Sequence, residues 1–375
     1  MSELRKNIGR IFDERKFRIT NSISDWVRVI DNDGFISFVN QSMIDEFGVD
    51  PKGLNIWEEI DERVVPRCIS TRNFRFNGVI REERKIKGRY FSIQSSPIRD
   101  DQKNIIGTVE VFRDITSEIN ARIDLIEANK KMHDEINFAK LIQRNILPKK
   151  GRHGDLNVDY RYISSETLSG DIFDIIEIDN DHVAIYIADI VGHGVAASIL
   201  TMFVRQTVRS IVNSGTIMPK DVLQELKIRY KELDLDDDKY FTMFYGIYNR
   251  KTGFFTCSNA GHNAIPIKFN NDFSILMESS GFPISYLFVD SVYEQKDIKL
   301  HNGDKILFYT DGITEVKNYE GEEFGESRLQ EIVKKNRNRL LDDIVDAIEW
   351  YRWGEQEDDL CLLLIEVDQI EEGIS

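Results

Sequence analysis

Apolar and polar positions switch period several times along this chain, and the switches divide it. Ser22 to Val29 and Phe35-Ile36-Ser37-Phe38-Val39 flank the turn Asp31-Asn32-Asp33-Gly34, the pattern of a hairpin. Helical spacing follows over Asn40 to Gly48 and Trp57 to Ile69. Three alternating stretches, Phe74 to Ile86, Arg89 to Pro97 and Ile105 to Arg113, predict strands, the last two joined by the turn Asp100 to Asn104. From Asp114 to Leu147 there is neither glycine nor proline, which predicts one long helix. Ile119, Ile123 and Ile126 keep heptad-like spacing, and Met132, Ile136 and Ala139 resume it one residue short, so the seam slips at Glu127 to Lys131. A seam of this kind predicts a parallel dimer, and a helix packed on its own domains is the alternative.

Beyond the helix the apolar runs end in acids. Ile175 to Ile178 and Val183 to Ala188 flank the turn Asp179-Asn180-Asp181, and a small-residue helix pattern follows Gly192-His193-Gly194. If the turn closes a hairpin near Asn180, Asp171 and Asp189 face each other on neighbouring strands, roughly 5 Å apart at Cα. Carboxylates that close repel unless a proton or a cation lies between them. Asp311 follows the run Ile306 to Tyr309, and Asp358 precedes Leu360 to Ile365. Four aspartates at strand ends can be pooled by two sheets into one oxygen-only site, which suits Mg²⁺ or Mn²⁺ rather than zinc. Two such ions about 4 Å apart can activate a water for attack on phosphorus.

With 375 residues, 41% apolar and 30% charged, the chain should form about two globular domains. A net charge of −16 argues against broad nucleic-acid binding. Cys68, Cys257 and Cys361 have neither zinc spacing nor a disulfide framework. Met1 to Arg10 lacks the apolar core of a signal peptide, and Val183 to Val204 is interrupted by Asp189 and His193, so a cytoplasmic protein with no membrane span is expected. Asp31 and Asp33 could begin a calcium loop, but Ser42 stands where the twelfth-position glutamate is needed. Asp234, Asp236, Asp237 and Asp238 read as a solvated loop.

Asp33-Gly34-Phe35-Ile36-Ser37-Phe38-Val39-Asn40, together with Ile106 to Thr116, resembles a PAS sensor domain. No histidine lies inside that module, so histidine-ligated haem is not expected, and its ligand is left open. Cys68, in Pro66-Arg67-Cys68-Ile69, lacks the setting of a photoreactive flavin cysteine and reads as a helix cysteine.

A second resemblance covers about Phe138 to Val367. Gln143-Arg144-Asn145-Ile146-Leu147-Pro148, Ser169-Gly170-Asp171-Ile172-Phe173-Asp174, Asp189 to Gly194, Phe241 to Gly246, Ser258 to His262, Gly303 to Glu315, Gly321 to Gly325 and Asp358-Asp359-Leu360-Cys361 occur in the order seen in bacterial PPM phosphatases of the SpoIIE and RsbU type. That resemblance implies an α+β architecture: a PAS domain over 18–116 after an extension 1–17, a helical linker over 117–150, a phosphatase domain over 151–368 and a tail 369–375. The phosphatase domain would be two packed antiparallel sheets flanked by helices. The resemblance also implies metal-dependent hydrolysis of phosphoserine or phosphothreonine with two Mn²⁺ or Mg²⁺ ions. Asp189 would bridge them, the Ile190 carbonyl would add a ligand, Asp171 would serve one ion, and Asp311 and Asp358 would complete the other. His193 would be a general acid or a structural turn residue, while Asp174 and Asp359 would be ligands or supporting acids. His262 would fix a loop, Cys361 replaces the usual threonine, and Ser169 the usual glycine. The implied partner is a phosphorylated anti-sigma-factor antagonist with a STAS domain, acted on by a homodimer. Two other readings are weaker. Ser169 to Ile176 is similar to a diguanylate cyclase hairpin but has Ile172 for glutamate, and Met132-His133-Asp134-Glu135 is similar to a kinase phosphoacceptor without an ATP lid. A phosphatase fold without metals would serve only for binding, but the full aspartate set argues against that.

Overall fold

The computed structural model describes residues 19–58, 65–67, 69, 78–165, 167–192, 194–236, 238–288, 290–335 and 338–368. The chain forms two compact units, Met1–Lys131 and Met132–Ser375.

In the first unit, β1 (Trp26–Asp31), β2 (Ile36–Val39), β3 (Ile80–Ile86), β4 (Arg89–Arg99) and β5 (Ile105–Asp114) form an antiparallel sheet in the order β2-β1-β5-β4-β3. Helix α1 (Gln41–Phe47) begins at Asn40, whose side chain accepts from Met43 N and also from Val27 N at 2.9 Å, tying helix start to strand. It stops at Gly48, whose φ of 71° few other residues tolerate. Alternation puts Trp26, Ile30, Ile93 and Phe112 on one face of the sheet and Val27, Val29 and Phe38 on the other. Arg28 and Glu110 are buried on the first face as an ion pair of 2.6 Å, with Arg28 donating to Pro66 O and Ile69 N donating to Glu110. The helix expected over Trp57 to Ile69 falls largely outside the described residues, as do Cys68 and the start of the strand expected from Phe74. Trp57 and Glu58 form turn and bend, and Val65 to Arg67 are irregular.

Helix α2 (Thr116–Asn145) is unbroken, as the absence of glycine and proline predicts. Ile123, Ile126, Met132, Phe138, Leu141 and Ile142 are exposed along it, whereas Gln143 is buried.

The second unit is a four-layer sandwich. Its sheets are built from β6 (Gly151–His153), β7 (Leu156–Ile163), β8 (Asp171–Glu177), β9 (His182–Ile190), β10 (Phe241–Asn249), β11 (Phe254–Ala260), β12 (Ile267–Phe269), β13 (Ser274–Leu276), β14 (Lys296–Lys299), β15 (Lys305–Tyr309) and β16 (Leu360–Val367). One sheet runs β14-β11-β10-β9-β8 and the other β13-β12-β15-β16-β7-β6. Between them Phe173, Ile185, Ile187 and Phe244 meet Val158, Phe308, Leu363 and Ile365. The outward positions of β8 and β9, such as Ile172 and Tyr186, pack beneath α3 (Gly194–Asn213) and α4 (Pro219–Lys231). The second sheet carries α5 (Gly325–Lys334) and α6 (Leu340–Tyr351) on its outer face. Helix α3 is the one described helix long and apolar enough to cross a membrane. Its Val204, Val208, Ile211 and Val212 instead fill the interior against the sheet, each burial stabilising by roughly 1.5–3 kcal/mol.

Candidate metal centre

Antiparallel pairing of β8 and β9 sets Asp171 directly opposite Asp189, as the hairpin arithmetic predicts. From the other sheet, β15 ends at Tyr309 and the chain turns into a short 3₁₀ segment, Asp311–Ile313, while Asp358 lies just before β16. Because β15 and β16 are hydrogen-bonded neighbours, Asp311 and Asp358 share one end of that sheet. Gly312 permits the approach of the two loops: a Cβ there would sit 2.0 Å from the Asp359 carbonyl oxygen.

Cross-sheet bonds lock the acids in place. Thr310 Oγ1 donates to Asp171 Oδ2 at 2.7 Å, and Cys361 N donates to Thr310 Oγ1 at 3.2 Å. Asp359 reaches the loop that leads from β7 into β8, accepting from Ser165 N at 2.7 Å and from Gly170 N at 2.7 Å. Asp359 is therefore a buried cross-link. Asp174 is likewise a structural acid: fully buried, it accepts a forked pair from Arg209 at 2.7 and 2.9 Å, with Arg205 at 3.3 Å, and so clamps α3 to β8. His262 is buried among Asn259, Thr242 and Tyr309. Its Nε2 donates to the Tyr309 carbonyl at 3.0 Å, so Nδ1 accepts from Thr242 Oγ1, and burial pushes its pKa down to about 4. The ring thus fixes the loop beside Thr310. Cys361 is buried in the inter-sheet core, its thiol pushed well up by burial. Asp234, Asp236 and Asp238 are exposed. His193 lies outside the described residues.

The remaining acids raise one another's pKa. Burial, then Asp189 and Asp359, raises Asp171 well above the usual carboxylate range. Burial, then Asp311 and Asp358, pushes Asp189 up to about 8. Asp311 is raised by burial and by Asp358, and Glu315 by burial and by Asp311. These acids therefore suppress one another's ionisation, and a cation would relieve that. Among the described residues no three side chains converge tightly enough to enclose an ion. An open oxygen-donor set of this sort suits a hydrated ion such as Mg²⁺, which keeps several waters and takes few protein ligands. Asp189, Ile190, Asp311, Glu315 and Asp358 all line a cavity of about 380 Å³. Asp171 lies behind it, 2% exposed.

Three participants carried no role in the sequence reading. Thr310 is the cross-sheet bond to Asp171, Glu315 is a further acid in the cavity wall, and Gln143 joins the end of α2 to the site. Gln143 Nε2 donates to Ser169 O at 2.8 Å, and Ser169 N donates to Gln143 Oε1 at 3.1 Å. Ser169 Oγ in turn accepts from Asp171 N at 3.1 Å, so the serine in place of glycine braces the acid beside it.

Comparison with known proteins identifies both parts of the chain. Residues 179–368, half of the chain, match the family described as stage II sporulation protein E (SpoIIE), and residues 14–115 match the PAS fold. Asp171 precedes the first match, so its place at the site rests on its register with Asp189. The chain is 28% identical over 225 residues to phosphoserine phosphatase RsbU of Bacillus subtilis, covering 56% of this chain and 66% of that protein. It is 24% identical over 241 residues to phosphoserine phosphatase RsbP of the same organism, covering 62% of this chain and 58% of that protein. The chain thus spans less than two thirds of the length of these relatives. The SiaA-PP2C domain of Pseudomonas aeruginosa superposes with a TM-score of 0.56 at 21% identity, covering 64% of this chain and 99% of that domain. That likeness establishes the fold of the sandwich. With its sheets and matched residues in agreement, the chain belongs to the SpoIIE family and carries a PAS domain ahead of a SpoIIE-type PP2C phosphatase domain.

Proposed function

We propose that this protein is a metal-dependent phosphoprotein phosphatase acting on phosphoserine or phosphothreonine. The observation that carries the reading is the set of mutually raised carboxylates, Asp171, Asp189 and Asp311, contributed by the ends of two sheets beside an open cavity. Asp189 would hold both ions, the Ile190 carbonyl would add a ligand, Asp171 would serve one ion, and Asp311 and Asp358 would complete the other. Bound Mg²⁺ or Mn²⁺ would supply Lewis acidity toward the phosphoryl oxygens and activate a water. The chain's own part is to hold the carboxylates in place for a cation: Thr310 directs one Asp171 oxygen, Asp359 pins the Gly170 loop, and His262 holds the strand end that carries Thr310. His193 would be a candidate proton donor to the leaving alkoxide.

The names of the relatives RsbU and RsbP support phosphoserine as the scissile group. The partner proposed is a phosphorylated STAS-domain antagonist of an anti-sigma factor in a partner-switching pathway, met in the cytoplasm by a homodimer paired along α2. Control by the PAS domain would run through α2 to Gln143 and from there to the Ser169-Gly170 loop. Phosphate release from para-nitrophenyl phosphate, in chelator against added Mn²⁺ or Mg²⁺, tests the chemistry; activity that persists in chelator would refute it. Incubation with phosphorylated STAS proteins of the same genome tests the partner, and no release from any of them would refute that part.

A further inference from the structure

The cavity wall holds two cations besides its acids, Lys317 and Arg352. An arginine among crowded carboxylates is ordinarily drawn into a short forked pair. Arg352 is not: its guanidinium reaches Gln356 Oε1 only at 3.5 Å and Glu349 only at 3.7 Å. Lys317 Nζ likewise lies 3.7 Å from Glu357. These are loose contacts, and among the described residues they leave most of the guanidinium's donors unused.

The backbone beneath them is firmly held. Arg352 N closes α6 by donating to Ile348 O at 2.9 Å, and Trp353 N donates to Lys317 O at 2.9 Å. The two cation-bearing segments are thereby joined in the cavity wall, while the Arg352 side chain is 23% exposed. A well-anchored backbone with a weakly engaged guanidinium on a half-buried side chain is an arrangement suited to receive an incoming anion. The need for one is electrostatic. A phosphoserine group enters with a charge near −2, and six acids line the wall it must pass. Two divalent ions alone would leave that wall negative.

We propose that Arg352, aided by Lys317, receives the phosphoryl group of the substrate. The inference rests on the phosphatase reading above and adds the residues that bind substrate rather than metal. The planar fork matches two phosphoryl oxygens, and a lysine would supply only a point charge.

The test uses the full chain with Mn²⁺. Arg352→Ala should raise KM for para-nitrophenyl phosphate at least tenfold, with kcat within threefold and the Mn²⁺ concentration for half-maximal activity unchanged. Calorimetric binding of inorganic phosphate to the Mn²⁺-loaded chain should weaken by the same factor. Arg352→Lys should fall between, and Arg352→Gln, which keeps a polar contact for Gln356, guards against a folding defect in the alanine variant. Wild-type KM and phosphate affinity in all three would overturn the inference. So would a change confined to Mn²⁺ dependence, which would make Arg352 a support for the turn carrying Asp358, or a wild-type chain that binds no phosphate. Arg352-dependent phosphate binding without any hydrolysis would uphold this inference and sink the phosphatase reading instead.

Discussion

Replacing Asp189 by asparagine separates the cost of the acid cluster from its use. Burial and the neighbouring Asp311 and Asp358 push the Asp189 carboxyl up to about 8. Against an ordinary value near 3.9, the folded, metal-free chain holds a proton that the unfolded chain has already released. Its contribution to stability is therefore full below pH ~4 and is lost as pH rises through about 8. Some four units at 1.36 kcal/mol each give about 5 kcal/mol as an upper figure. Asp189 is partly open to solvent, and screening reduces this by roughly half, to about 2–3 kcal/mol. Asparagine has the same shape and never ionises. In chelator, Asp189→Asn should therefore match the wild type near pH 4.5 and exceed it by about 2–3 kcal/mol at pH 8.5, a rise in Tm of roughly 5–10 °C for a unit of this size. His262 works in the opposite sense in acid, because its depressed pKa removes stability as pH falls from about 6.5 toward 4. Both chains share it, so it cancels in the difference. Added Mn²⁺ should raise the wild-type Tm and leave the variant nearly unmoved, and the variant's turnover should fall well beyond tenfold. Thermal unfolding by circular dichroism at both pH values, with and without Mn²⁺, reads all of this. A variant less stable than wild type in chelator at pH 8.5 would refute the reasoning.

Gln143→Ala strands the buried Ser169 N–H and C=O, and should cost about 2–4 kcal/mol and raise the Mn²⁺ needed for half-maximal activity; unchanged melting and metal dependence would argue against a coupling role. Gly312→Ala would force a Cβ to 2.0 Å from the Asp359 carbonyl, so soluble protein with wild-type activity would contradict the described approach of the two loops. Thr310→Val removes a buried hydroxyl that both Asp171 and Cys361 N use, and should cost about 1–3 kcal/mol in urea unfolding and lower turnover. A chain begun at Met132 keeps Gln143 and lacks the PAS domain; identical turnover and Mn²⁺ dependence in it and in the full chain would reduce α2 to a spacer.

Much of the site was legible from local arithmetic. A turn centred near Asn180 makes Asp171 and Asp189 register partners whatever the rest of the chain does, because antiparallel pairing counts residues outward from the turn. Helix α2 was legible for the same local reason, as an unbroken run of helix formers. Asp311 and Asp358 could be recognised as acids at strand ends. What sequence left open was which acids the fold would use as structural cross-links. Asp174 and Asp359 sit next to the expected ligands in type and position, yet Arg209 takes the first and the Ser165 and Gly170 amides take the second. Thr310 meets Asp171 across 139 residues of chain, Gln143 finds Ser169 from a helix, and Arg352 joins the cavity wall from the end of another. Hydrophobic period assigns each residue to a face of its own strand or helix, but it carries no information on how far one sheet slides over the other when they stack. That offset is set by the packing of Phe173, Phe244, Phe308 and Leu363 between the sheets, and it brings Thr310 and Asp359 within hydrogen-bond reach of Asp171 and Gly170.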